Sequence, residues 1–486
     1  MKRPNIVLIM SDQHNPHVMG CAGDPCAQTP NLDRMAESGV RFSSNYCAGP
    51  LCVPSRLTFL TSRYPSDIEV WTNSAALPSH AATFAHQLTL AGYKTTLCGR
   101  MHFVDADQNH GFTRRLVGDV SGAMRGAGRE MFEGVWNTAG CGQSHGALMD
   151  DAVGPGTATY EVYDRAVTAR ACREIREYAD RGGEQPFCMV VGMLLPHNPC
   201  VCRKDLFDYY MDTLPDPDLG APSDEHPAVG SLRDTRDTHT VTLEEARRAR
   251  AAYYGLVTTM DGSIGQIIEA LELTSLAEDT VLIYTSDHGD LNGEHGMWWK
   301  DSFYEGSVSV PMLWSWPGAF RAGAEVDAVT SLLDIGPTLA DLAGAEPLPE
   351  RRGSSLTGFL YPHGDTSTWP DVAFAETYAL AQRPARMLRS GRYKLNVYHG
   401  YDDCQLFDMQ TDPGEVHDLA RDPAHADIRQ ELLDRATDGW DGDVIERRCA
   451  LRSAELNLTQ RWRSHAGATS SEIWDMPAGC NARQPE

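Results

Sequence analysis

No stretch of this chain approaches the ~20 consecutive apolar residues needed to cross a bilayer, and Met1-Lys2-Arg3-Pro4 leads directly into the apolar run NIVLIM instead of a signal sequence. A soluble, cytoplasmic protein is therefore expected. Cysteine pairs are missing too: the thirteen cysteines include no CxxC, and the odd count argues against a disulfide framework and suits a reducing compartment. Cys200 and Cys202 form a lone CxC, read as packing in preference to metal binding. Positive charge is scarce, with 42 Lys plus Arg against 67 Asp plus Glu and a net charge of −25. Such a surface repels polyanions, which excludes nucleic acid and heavily charged glycans as natural partners. Internal repeats and low-complexity segments are also lacking.

The 486 residues are enough to bury a large core, expected as one large domain plus a smaller one. Three short apolar runs bounded by polar residues, from Asn5 to Met10, Phe187 to Leu195 and Thr280 to Thr285, predict buried central strands, with short buried helices as the alternative. Between the last two, Thr242 and Glu245 make a capping box, and Tyr253, Leu256, Val257, Met260, Ile264, Ile267, Ile268 and Leu271 recur at helical spacing. The Pro-, Gly- and Asp-rich stretch from Leu214 to Asp237 reads as a surface excursion. After Pro362-His363-Gly364 the texture changes to alternating strands, a turn-rich segment and a helix-rich end. This predicts an α/β fold with domains 1–366 and 367–486.

Each apolar run ends in residues able to bind metals or anions: Ser11-Asp12-Gln13, Pro196-His197-Asn198-Pro199 and Ser286-Asp287-His288-Gly289-Asp290. Ligand sites of open α/β sheets lie beyond the carboxyl ends of strands, so one site can collect all three. Taken singly, Asp12 is also explained as a turn cap, His197 as a satisfied loop residue and Asp287-His288-Gly289 as a turn. Taken together, Asp12, Asp287 and His288 make an oxygen-rich site suited to Ca²⁺, Mn²⁺ or Mg²⁺. The pentapeptide Cys52-Val53-Pro54-Ser55-Arg56 opens an expected helix. Pro54 suits a first turn, which places residue 52 where unpaired N–H groups favour an anion. Arg56, one turn on, is expected to point its guanidinium back toward that anion. The plain alternative is a buried helix start with a structural cysteine and a surface arginine.

These motifs, with TPNLDRMAESGVRF, LTLAGYKTTLCGRMH, GEHGMWWK, RSGRYKL and LFDMQTDPGEVHDLA in order along nearly the whole chain, resemble the type I sulfatases of the alkaline phosphatase superfamily. QNHGF and the pair Asp287-His288 are most similar to the choline sulfatase and phosphonate monoester hydrolase branch. The resemblance implies a central mixed, mostly parallel sheet flanked by helices, with a smaller C-terminal α+β subdomain. It also implies that a separate maturation enzyme oxidises Cys52 to formylglycine, whose hydrate attacks sulfur and later collapses to expel sulfate. It further implies that His102 accepts a proton in that collapse, that His197 or Lys300 assists the leaving alcohol, and that Asn73 lines the cavity. A serine at position 52 lacks the second hydroxyl and is expected to be sulfated yet turn over poorly.

The chain departs from the family pattern at several points. Ser11 stands where many sulfatases carry another metal-binding aspartate, Arg100 replaces a substrate-contacting lysine, and Ser62 replaces the glycine of LTGR. The region from Ala123 to Gly146 matches poorly; Trp71, Trp136 and Tyr378 are candidates for cation–π contacts, and Glu376 for a countercharge to a cationic substrate. The expected function is hydrolysis of a small alkyl or aryl sulfate ester, with choline sulfate as a candidate. The alternatives are a phosphonate monoester or phosphodiester hydrolase with the same site, and a catalytically silent sulfatase-like binding protein. The stretch from Trp440 to Trp474 suggests a helix and aromatic tail that join a homodimer or tetramer.

Overall fold

A computed structural model of the chain describes residues 3–104, 107–120, 142–149, 151–182, 185–222, 225–466 and 482–483. The large sheet contains β1 (Asn5–Asp12), β2 (Val40–Phe42), β3 (Lys94–Gly99), β4 (Arg114–Arg115), β5 (Phe187–Pro196), β6 (Thr280–Ser286), β7 (Met312–Ser315) and β8 (Ala324–Val326). Their order is β8-β2-β7-β6-β1-β5-β3-β4. Strand β1 runs parallel to β5 and β6, and β3 runs parallel to β5 and β4. Strand β7 is antiparallel to both β6 and β2, which makes the sheet mixed.

The three apolar runs are the three central strands, and every residue in them is buried. Continuous apolar sequence is what a strand covered on both faces requires. Ile6, Leu8 and Met10 of β1 join the core that contains helix α1 (Cys52–Thr61), whereas Val7 and Ile9 join the opposite core with α2 (Thr159–Asp180). That opposite core is also lined by the long helix α4 (Leu243–Leu273), which is capped by Thr242 and Glu245 as expected. At the carboxyl end the ladder between β1 and β5 shifts register between Met10 and Asp12. There Gly192 has a specific use: a Cβ on it would lie 1.7 Å from the Arg100 carbonyl oxygen, so only glycine lets the chain leaving β3 cross β5.

The stretch from Leu214 to Asp237 is not surface throughout. It contains helix α3 (Pro227–Arg236), with Ala228, Val229, Leu232, Arg233 and Arg236 buried. Pro227 at the helix start and the apolar spacing 228, 229 and 232 are helical signals that the flanking Pro-, Gly- and Asp-rich composition masked.

The C-terminal part carries four antiparallel strands, β9 (Val372–Thr377), β10 (Ala385–Ser390), β11 (Tyr393–Tyr398) and β12 (Cys404–Asp408), paired consecutively. Helix α5 (Ala426–Thr437) covers them, with Leu432 and Ala436 packed on Leu388, Leu395 and Leu406. This sheet is tied to the large one by Glu376 N–H donating to the Ala48 carbonyl (2.9 Å) and by Lys394, which pairs with Glu305 (2.7 Å) and Glu415. Helix α6 (Gly442–Ala466) follows and exposes Leu451, Leu458 and Trp462. Among the described residues no helix is long and apolar enough to cross a membrane.

Candidate active site

Cys52 is the first residue of α1, and Pro54 lies in its first turn. The Val53 N–H, one of the groups a helix start leaves without an intrahelical partner, donates to Asn73 Oδ1 at 2.9 Å. Cys52 Sγ faces the ends of the central strands: Lys300 Nζ is 3.1 Å away, His288 Nε2 3.3 Å and Asp12 Oδ1 3.6 Å. Burial, reinforced by the Asp12 charge, pushes the Cys52 thiol up to about 11. As a thiol it is protonated at neutral pH and a poor nucleophile.

Arg56 does not point toward the mouth of the site, nor is it a surface residue. Every residue of α1 is buried, and one turn after Cys52 the helix faces β1 and β6. The Arg56 guanidinium therefore donates to Asp287 Oδ2 (2.8 Å), Asp12 Oδ2 (3.2 Å), and the carbonyls of Ser11 (3.3 Å) and Arg100 (3.2 Å). Arg100 adds a bond from Nε to the same Asp12 oxygen at 2.7 Å. Burial alone would raise the Asp12 pKa, but Arg100 and Arg56 outweigh it and hold the carboxyl well below the usual range.

Both carboxylates are thus divided: Oδ2 is taken by arginines and Oδ1 is turned to the other side. His288 donates from Nδ1 to the Gly289 carbonyl at 3.0 Å, which leaves Nε2 as an acceptor beside the Cys52 thiol. That lone pair sits 3.7 Å from Asp12 Oδ1 and 3.5 Å from Asp287 Oδ1. Asp287 Oδ1 also accepts from Gln13 N (3.0 Å) and His288 N (2.9 Å), and the weakly donating Cys52 thiol borders the other two; a divalent cation is a far stronger partner for three converging electron-pair donors. Asp12, Cys52, Asp287 and His288 offer atoms all within 4.8 Å of one another. Gln13 adds a third oxygen: its buried Oε1 has no hydrogen-bond partner, while its Nε2 donates to Asp290 Oδ2 at 2.6 Å. The donor set therefore fits a divalent ion. Ser11 does not belong to it, because strand alternation turns its hydroxyl to Tyr284 (3.0 Å) and the Thr285 carbonyl (3.3 Å). The neighbour of Asp12 that borders the cluster is Gln13.

On the β3 side, Arg100 spans from Asp12 to Asp119, donating from Nη1 to Asp119 Oδ1 at 3.3 Å and from Nη2 to His102 Nδ1 at 2.9 Å. Guanidinium has no acceptor, so His102 Nδ1 must accept, and its proton resides on Nε2. Burial and Arg100 hold the His102 pKa well below its ordinary value. Its backbone lies at φ 60°, held by Asp119 Oδ2, which accepts from Met101 N (3.1 Å) and His102 N (2.7 Å). His197 is the reverse case. Its Nδ1 donates to the Asn198 carbonyl at 2.6 Å, which exposes a bare Nε2, and burial with the Lys300 charge lowers its pKa to about 3. Lys300, although burial opposes its charge, is held protonated by the groups at Cys52, Asp12 and Asp287.

Asp12, Cys52, Arg56, Arg100, His102, Asp287, His288 and Lys300 thus form one connected cluster, with Asn73 at its helix start. Glu376 is apart from it and is not an open countercharge. Its oxygens are engaged by Ser66 Oγ (2.8 Å) and Trp71 Nε1 (3.0 Å), with Arg386 at 3.6 Å. The carboxylate fixes the Trp71 ring, which packs with Tyr378, Trp440, Ile445 and Cys449. Trp136 and most of the stretch from Ala123 to Gly146 lie outside the described residues, as does Trp474. Sequence reasoning missed Asp119, which carries no local motif, and gave Asp290, named in the strand-end motif, no role of its own. The signal for Gln13 was its place beside Asp12 at the strand end.

The Sulfatase family model matches residues 4–345, and the model described as N-sulphoglucosamine sulphohydrolase, C-terminal, matches residues 293–439. The chain belongs to the sulfatase family. It is accordingly a sulfuric ester hydrolase with an alkaline-phosphatase-like fold. Among this sulfatase's relatives is a choline-sulfatase of Rhizobium meliloti (strain 1021), 34% identical over 95% of this chain and 90% of that one. Arylsulfatase K of Homo sapiens is 29% identical over 86% of this chain and 79% of its own length. The crystal structure of a phosphonate monoester hydrolase of Agrobacterium radiobacter superposes with a TM-score of 0.70 at 25% identity, covering 89% of this chain and 94% of that one. A structure in complex with D-glucosamine-2-N,6-O-disulfate as its substrate has a TM-score of 0.75 at 22% identity, covering 91% and 99%, and speaks for the fold alone.

Proposed function

We propose that this sulfatase hydrolyses a small alkyl or aryl sulfate ester, using formylglycine made from Cys52 by a maturation enzyme and one divalent ion, Mn²⁺ or Ca²⁺, held by Asp12, Asp287, His288 and Gln13. The observation that carries the proposal is the convergence of Asp12 Oδ1, Asp287 Oδ1 and His288 Nε2 beside residue 52, with the Lys300 ammonium 3.1 Å from Cys52 Sγ. The inert Cys52 thiol supports a modified side chain in its place. When bound, the ion supplies Lewis acidity and the aldehyde hydrate supplies a hydroxyl nucleophile.

The chain's own residues do the rest. Arg56 and Arg100 share one oxygen of Asp12, Arg56 alone takes one oxygen of Asp287, and these bonds orient both carboxylates and keep Asp12 ionised. Lys300, protonated and buried, donates to the leaving oxygen as its bond to sulfur breaks; a positioned acid of this kind is worth ~10²–10⁴-fold. His102 presents an Nε2–H, a donor toward a sulfate oxygen. His197 presents a bare Nε2 and is the better proton acceptor. This assignment reverses the roles that the family resemblance suggested for the two histidines, because Arg100 and the Asn198 carbonyl select opposite tautomers.

Choline sulfate is the first candidate substrate, supported by the choline-sulfatase relative. The aromatic candidates Trp71 and Tyr378 pack with Trp440, Ile445 and Cys449 apart from the residue 52 cluster, so the relative alone supports this substrate. A second reading, phosphonate monoester or phosphodiester hydrolysis, is supported by the phosphonate monoester hydrolase structure. Turnover of choline sulfate, 4-nitrophenyl sulfate and a phenylphosphonate monoester by matured, metal-loaded protein separates them: the sulfates are expected to be preferred, and a phosphonate preference overturns the first reading. A cytoplasmic setting fits the eleven cysteines among the described residues, all free. Association into a dimer or tetramer fits the apolar side chains exposed along α6.

A further inference from the structure

Lys300 sits in a segment that its own backbone does not favour. The residues on either side, Trp299 at φ 66° and Asp301 at φ 76°, are non-glycine residues in the left-handed region. Such a segment keeps its shape only where neighbours over-determine it. One such neighbour is Arg236, the last residue of α3, buried and far from the residue 52 cluster in sequence. Its Nη1 donates to the carbonyls of Trp298 (3.1 Å) and Lys300 (2.8 Å). Its Nη2 pairs with the Asp301 carboxylate and donates to Gln143 Oε1 at 2.9 Å, and its guanidinium lies 5.7 Å from the Trp299 ring centre. A single planar fork thus holds the residue before Lys300, Lys300 itself and the residue after it. From the other side, Trp299 N–H donates to Asp290 Oδ1 (3.2 Å) and Asp301 N–H to the Pro50 carbonyl (3.1 Å), two residues ahead of Cys52.

Resting on the proposed function above, we infer that Arg236 is a positioning residue for Lys300: it sets the reach of the ammonium over residue 52 and so controls protonation of the leaving oxygen. Arg236 touches none of the reacting atoms. A lysine in its place keeps the charge but cannot bridge two carbonyls and a carboxylate at once.

The experiment compares Arg236→Gln, Arg236→Lys and Lys300→Ala in the matured, metal-loaded enzyme, with 4-nitrophenyl sulfate as the good leaving group and phenyl sulfate as the poor one. A displacement of about 1 Å at a catalytic group costs about 10²-fold. Arg236→Gln is therefore expected to lose about 10²-fold in kcat on phenyl sulfate, less than about 5-fold on 4-nitrophenyl sulfate, with KM little changed on either. Arg236→Gln/Lys300→Ala is expected to be no slower than Lys300→Ala alone. The control is Arg233→Gln. Arg233 lies on the same helix and donates to the carbonyls of Gly296 (2.8 Å) and His295 (2.7 Å), ahead of the Lys300 segment. It is expected to show no leaving-group dependence.

Equal losses on both esters, multiplicative losses in the double variant, or the same signature in Arg233→Gln would each overturn the inference. Should Arg236→Gln fail to fold, Arg236→Lys carries the same comparison with the charge retained. An inactive wild-type enzyme on every sulfate ester would instead refute the proposed function. An active wild type, slowed by Lys300→Ala but not by the Arg236 variants, refutes only the inference.

Discussion

Replacing Asp119 by asparagine probes the buried network behind Arg100 with almost no change of shape. N–H groups of Arg100 Nη1 (3.3 Å), Met101 N (3.1 Å) and His102 N (2.7 Å) converge on this carboxylate, with Arg115 Nη2 at 3.9 Å. An amide has one acceptor oxygen. If it serves Met101 and His102, its NH₂ faces the Arg100 guanidinium, donor against donor. Removing one partner of a buried, hydrogen-bonded ion pair costs about 3–5 kcal/mol. With an unfolding entropy of about 2.1 cal/mol/K per residue, 486 residues amount to about 1 kcal/mol/K, so the melting temperature should fall by about 3–5 °C.

The pH dependence has a definite sign. Burial alone would raise the Asp119 pKa, but Arg100 and His102 hold it well below its ordinary value in the folded chain. Its contribution is therefore fully present above the unfolded value of about 3.9 and is lost as pH falls through the lower folded value. The stability gap between wild type and Asp119→Asn, read from urea midpoints, should be constant from pH 5 to 8 and shrink below about 4. Activity on 4-nitrophenyl sulfate should fall about 10²-fold, because Arg100 positions His102. A variant that melts within 1 °C of wild type and keeps half its activity would refute the reasoning, as would a gap that widens on acidification.

Intact-peptide mass spectrometry across residue 52 should show a loss of about 18 Da relative to the cysteine peptide, or the corresponding hydrate, in protein made with its maturation system; unmodified cysteine in active enzyme would remove the nucleophile proposed here. Cys52→Ser should release one equivalent of alcohol and then stall, and sustained wild-type turnover would contradict it. Purified protein should carry one divalent ion per chain; at 100 times its Kd that ion contributes about 2.7 kcal/mol, and Asp287→Asn with His288→Ala should abolish both the ion and the stabilisation seen by calorimetry. His197, buried and neutral with a pKa near 3, makes the folded state resist protonation that the unfolded chain accepts, so it lowers stability as pH falls from about 6.5 toward 3. His197→Gln should reduce that acid sensitivity, and an unchanged acid limb would show that the neutral tautomer is wrong.

Much of this protein is local in sequence and therefore readable there. The apolar runs at β1, β5 and β6 mark strands buried on both faces, because no half-exposed strand tolerates so continuous a pattern. The capping box at Thr242 and the proline after Cys52 mark helix starts by the hydrogen bonds they satisfy or forgo. Motif order along the chain marks the family, and placement at strand ends gathers Asp12, Asp287 and His288.

The direction in which a side chain spends its hydrogen bonds is another matter. Arg56 was expected at the substrate but braces two carboxylates from behind, because α1 packs with that face against β1 and β6. Ser11 falls on the face of β1 opposite Asp12, whereas Gln13, which strict alternation would put on Ser11's face, lies past the strand end at φ 71° and so borders the cluster. Glu376 looked like a free charge until Trp71 and Ser66, some three hundred residues away, were found to satisfy it. The two histidine tautomers depend on one guanidinium and one carbonyl. Chemistry-bearing residue types and secondary structure were determined by the sequence itself, since both rest on short-range sterics and periodicity. Protonation, orientation and the clamp on Lys300 were decided only by the tertiary structure, since each rests on partners that approach from distant parts of the chain when the core closes.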